Sequence, residues 1–75
     1  MDSIDRRNAT ANINLNRTID DLIGKGVTRC KIAELAVTYS HEYNNAEECP
    51  IAYERIDYVR ERLKSWWEVH KHEYN

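Results

Sequence analysis

The residues able to hold a metal or attack a substrate are few and scattered. Cys30, His41, Cys49, His70 and His72 are the soft ligands of the chain. Zinc sites draw their ligands from close pairs such as C-x₂-C or H-x₃-H. Here each cysteine stands alone. His70 and His72 are two residues apart, which on a helix turns their imidazoles about 200° from one another. A Cys–His nucleophile would also need an orienting group and an oxyanion pocket, which a short helical chain has little depth to build. Asp20-Asp21 and Glu47-Glu48 are neighbouring carboxylates, but adjacent residues point apart on a helix. Gly24-Lys25-Gly26 is too short for a phosphate loop and has no strand before it. The expectation is a protein that is not an enzyme, with no cofactor, no metal and no small-molecule substrate.

The chain has 75 residues, 41% of them apolar and 32% charged, with a net charge of −2. That is the composition of one small soluble domain. No apolar run reaches the roughly 18 residues of a membrane span. MDSIDRRNATANINL mixes acids with bases and lacks the apolar stretch of a secretory signal. A cytoplasmic location follows as the expectation, with Cys30 and Cys49 as unlinked, partly buried thiols.

Hydrophobic periodicity sets the elements. Residues 1–11 are polar and rich in Asn, Asp and Arg, which reads as a flexible arm. Residues 12–75 read as a single helical domain. Leu15, Ile19, Leu22 and Ile23 share one helix face, and Gly24 or Gly26 ends that helix by taking the left-handed conformation. Thr28 caps a second helix with the stripe Ile32, Leu35, Ala36, Tyr39 and Tyr43. Ala46-Glu47-Glu48-Cys49-Pro50 suits the start of a third, since acids and proline are favoured in a first turn. The seam of that third helix, Ala52, Ile56, Val59, Leu63, Trp66 and His70, follows alternating steps of four and three. It serves either as a core face or as a dimer seam, with the core favoured. The predicted fold is all-α: helices over about 12–24, 28–44 and 50–72, the last a long amphipathic spine.

Charge is uneven. Residues 1–31 carry a net +2, residues 32–57 a net −5 and residues 58–75 a net +1. An acidic middle section suits a basic partner. Tyr and Trp anchor protein interfaces, and Tyr53 and Tyr74 lie at heptad spacings from Trp67. Glu42, Glu47, Glu48, Tyr53, Trp67 and Tyr74 are therefore the candidate partner-binding residues. The expected function is a small helical interaction module, an accessory regulator or inhibitor of the sort carried by phages and mobile elements, with a protein partner and homodimerisation as a further state.

The segment from Ile19 to Leu35, IDDLIGKGVTRCKIAEL, resembles the first two helices of a resolvase- or transposase-type helix-turn-helix: an apolar helix, a Gly-Val-Thr turn, then Ile-Ala-x-x-Leu. The resemblance implies DNA binding through a further helix in the major groove. Arg17, Lys25, Arg29 and Lys31 would then be the phosphate-contacting residues. No second Gly-Val-Ser turn and no basic helix follow Leu35, so DNA stands as the alternative partner.

Overall fold

The computed structural model describes residues 3–74. They form three α-helices: α1 (Ser3–Gly24), α2 (Arg29–Ala46) and α3 (Ala52–His70), the last running on into a single 3-10 turn, Lys71–Tyr74. The fold is all-α, as the periodicity predicts, and α3 with its 3-10 turn is a helical run of 23 residues. The molecule measures 44 × 26 × 18 Å. Among the described residues, no helix is long and apolar enough to cross a membrane.

α3 packs against both other helices, whereas α1 and α2 scarcely touch one another outside their connecting turn. Arg7 meets Tyr53 and Lys25 meets Trp67, so α1 runs parallel to α3. Glu42 meets Tyr58 and Lys31 approaches Trp66, so α2 runs antiparallel to it. Leu22, Val27, Ile32, Tyr39, Val59 and Leu63 form the shared core, with Leu63 fully enclosed. The heptad seam of α3 is thus spent inside the chain, only Ala52 at its start being exposed.

Helix α1 reaches back through residues read from sequence as a flexible arm. Residues 1 and 2 lie outside the described residues, but Ser3 to Ala11 are helical. Asn8, Asn12, Asn14 and Asn16 are weak helix formers, and packing overrides them. Ala11 is buried, and Arg7 donates to the Tyr53 hydroxyl at 3.0 Å with its guanidinium over that ring.

The α1–α2 turn is closed by a Schellman motif. The Val27 N–H donates to the Leu22 carbonyl at 3.0 Å and the Gly26 N–H to Ile23 at 3.0 Å. Gly26 takes φ +103°, a conformation that disfavours any side chain. Leu22 and Val27, each 2% exposed, supply the apolar contact that accompanies this motif. Thr28 then caps α2, its hydroxyl accepting from the Lys31 N–H at 3.1 Å.

The start of α3 differs from its expected place. Ala46 is the last residue of α2, Glu47 closes that helix by donating its N–H to the Tyr43 carbonyl, and α3 begins after Ile51. Proline holds the residue before it away from the helical region, which keeps Cys49 and Pro50 in the connection. Both cysteines are exposed free thiols, rather than partly buried. Cys30 stands in the first turn of α2 and Cys49 three residues beyond its last residue, Ala46, which is about 24 Å along the helix from Cys30 at 1.5 Å per residue; a disulfide tolerates a Cα separation of only ~7 Å.

Candidate functional site

The six partner-binding candidates do not form one surface. Tyr53 and Trp67 lie about 21 Å apart along α3, and the other four divide between the ends they mark.

At the end where α2 passes into α3, Glu42 is already engaged. It accepts from the Tyr58 hydroxyl at 3.1 Å and pairs with Arg62 at 3.6 Å. Next to it Tyr43 donates to Glu54 at 2.9 Å, and the Tyr43 and Tyr58 rings lie 5.6 Å apart. Arg62 covers the Tyr39 ring at 4.8 Å. This ladder of tyrosines and carboxylates joins α2 to α3. Burial, then the hydrogen bond to Glu54, pushes the Tyr43 phenol above its ordinary value. Burial and the bond to Glu42 push Tyr58 the same way, opposed by the Arg62 charge. Tyr53 is half-buried under Arg7. Glu47 and Glu48 differ from these: both are exposed, and among the described residues neither carboxylate enters a hydrogen bond or ion pair.

At the other end, Trp66, Trp67 and Tyr74 close a corner around the α1–α2 turn. Tyr74 tilts against Trp67 at 5.5 Å and meets Trp66 edge-on at 6.1 Å. His70 stacks on Trp66 at 4.7 Å, with its Nδ1 2.9 Å from the Trp66 carbonyl oxygen. A groove of about 240 Å³ runs beside this corner between α1 and α3, lined by Asp21, Lys25, Lys64, Ser65, Trp67 and Glu68 among others. Lys25 Nζ lies 5.3 Å from the centre of the Trp67 ring and 2.6 Å from Asp21 Oδ2. Trp67 and Tyr74 therefore help build the molecule and also flank its groove.

Of the candidate phosphate contacts, Arg17 and Arg29 are exposed. Lys25 is laid over Trp67, and Lys31 sits 6.0 Å from the Trp66 ring and 3.8 Å from Glu34. α2 continues to Ala46 without a second tight turn, and α3 lies along both earlier helices. Among the described residues no three His, Cys, Asp or Glu side chains gather where they could hold a metal ion.

Asp21, Ser65 and Glu68 were not singled out from sequence. The one local signal for them is the i, i+4 spacing of Asp21 and Lys25, which puts opposite charges on one face of α1. The ladder partners Glu54 and Arg62 have no such signal, because their mates lie on another helix. Comparison of the chain with protein-family models, curated proteins and solved structures gave no match.

Proposed function

We propose that this chain is a non-enzymatic protein-interaction module, an accessory regulator or inhibitor, that docks on a basic protein surface through its acidic end. The observation that carries it is the connection between α2 and α3. Residues 44–51 are exposed throughout, and Glu47 and Glu48 stand there side by side with no cation bonded to either among the described residues. The −5 net charge of residues 32–57 has its unneutralised part at this end. Adjacent unpaired carboxylates raise the local negative potential, which steers a positive surface toward them. Ile51, 42% exposed, adds an apolar contact beside the charges.

The two native cysteines provide the test, since Cys49 lies in this connection and Cys30 at the far end of α2. A photo-crosslinker is attached to Cys49 in a Cys30→Ser chain, and to Cys30 in a Cys49→Ser chain. The expected result is a nuclease-resistant protein adduct from Cys49 that is lost in the Glu47→Lys/Glu48→Lys variant. Equal adducts from both positions, or adducts indifferent to the charge reversal, would remove the acidic end from the interface. Adducts from Cys30 that vanish with nuclease would assign the partner to nucleic acid.

A further inference from the structure

We infer that the groove beside Trp67 is a receptor for one cationic side chain, and that Lys25 occupies it as an internal stand-in. Three observations converge. The face of an indole attracts cations through its quadrupole, and the Trp67 face already holds an ammonium at 5.3 Å. A carboxylate fixes that ammonium, Asp21 at 2.6 Å; a second, Glu68, lines the same groove but is held by Lys71 at 3.0 Å, so Asp21 is the carboxylate an incoming cation would use. The volume, about 240 Å³, falls below the roughly 300–1,000 Å³ of pockets that enclose a small-molecule ligand. It suits a single long side chain.

The sign of the occupant follows from how the lysines are placed. Lys25 is neutralised by Asp21, and the Lys64 ammonium lies toward Glu61 at 3.8 Å. An incoming anion would have to strip one of these pairs and lie against the negative face of the ring. An incoming lysine or arginine needs only to exchange with Lys25, cation for cation, on the same ring and carboxylate. That exchange is easy, because the Lys25 and Asp21 side chains are 41% and 62% exposed and pairs so open to water hold weakly. The natural occupant is a lysine or arginine of the basic protein partner, an identification that rests on the function proposed above. The preference of the groove for a cation does not depend on it.

Competition from Lys25 makes the inference testable. The full ¹⁵N-labelled chain is titrated with Nα-acetyl-lysine N-methylamide, with the neutral norleucine counterpart and with the anionic glutamate counterpart. The indole Nε1–H signals of Trp66 and Trp67 are followed separately. The lysine derivative is expected to move the Trp67 signal, and the other two to leave it in place. Lys25→Met removes the internal competitor and should tighten lysine binding about threefold, as for any site freed from a competing state. Lys25→Arg should return it to the original affinity, and Asp21→Asn added to Lys25→Met should cancel the gain. Lysine binding no tighter in Lys25→Met, or a Trp67 response equal for norleucine, overturns the inference. A response to glutamate alone overturns it too, and assigns the groove to an acidic partner. Glu47→Lys/Glu48→Lys should leave this titration unchanged, so the groove's preference for a cation stands or falls apart from the docking proposed above.

Discussion

The two ends of α3 are joined to the rest of the molecule by different chemistry. At its C-terminal end, rings and methyls meet around a tight turn: Trp66, Trp67 and Tyr74 close over Gly26, with Leu22 and Val27 beneath. In its first three turns the contacts to α2 are directional, with Tyr43 on Glu54, Tyr58 on Glu42 and Arg62 on both Glu42 and the Tyr39 ring. The difference follows from the connections. Only four residues, Lys25 to Thr28, join α1 to α2 in a closed turn, so the chain itself brings the two helices to the corner and apolar burial suffices to hold them. The connection at residues 47–51 is irregular, bent at 48–49, and exposed, so register at that end must come from hydrogen bonds with defined geometry. Burial dominates where the backbone already restricts the choice, and polar pairing where it does not.

Substitutions can break or sharpen this contrast. The largest effect belongs to the residue both ends share. Leu63→Ala, at 0% exposure, should cost about 2–5 kcal/mol through lost burial and a residual cavity. Urea denaturation followed by circular dichroism and by tryptophan fluorescence should give one coincident transition at lower midpoint. Separate transitions would show that the two ends unfold independently. Next, Gly26→Ala should cost about 1–2 kcal/mol, because the left-handed backbone is strained by any side chain. Its mark should be a loss of Trp signal dispersion at the corner, with the Tyr43 and Tyr58 resonances unchanged. Thr28→Ala should follow, at about 1 kcal/mol for the lost cap.

A smaller effect has a pH signature that tells the two ends apart. Tyr43 and Tyr58 have phenols raised in the folded state. Their contribution is therefore fully present below pH ~10, the unfolded value, and is lost as the pH climbs through the higher folded values. Melting temperature should fall above about pH 10, and the Tyr43→Phe/Tyr58→Phe chain should fall less steeply. An identical alkaline slope in the two chains would deny the ladder any coupling to stability. The last change has the opposite sign. Asn8 Oδ1 is enclosed with no hydrogen-bond partner among the described residues. Asn8→Ala should stabilise by about 0.5–1 kcal/mol, since it removes an orphan acceptor and improves helix propensity.

What could be read from sequence divides along the same line. The α3 seam, the Thr28 cap and the glycine stop after α1 each depend on neighbours within a few residues, and all three took their expected form. The ion pairs Glu61–Lys64 and Glu68–Lys71, at 3.8 and 3.0 Å, are local in the same sense, each at i, i+3 spacing. The helical state of Ser3–Ala11 was missed because its cause, Tyr53, lies on a different helix. Glu42 read as a docking acid, yet its carboxylate is committed to Tyr58 and Arg62. An exposed acid and an internally paired one look alike in a sequence; only the partner helix distinguishes them. Of the candidate site, the acids of the connection were legible as a run. The groove was not, because it is made by two parallel helices whose pairing no local period specifies.

The parallel course of α1 and α3 also has a consequence for biosynthesis. As the chain leaves the ribosome, Arg7 emerges 46 residues ahead of the tyrosine that anchors it, and Gly26 waits for Tyr74. The α1–α2 turn can close early from its own hydrogen bonds. The front half of α1, poor in helix formers, has nothing to pack on until α3 is made. During translation the α1–α2 turn therefore comes first, the front half of α1 gains its anchor with Tyr53, and the corner at Gly26 is completed only with Tyr74.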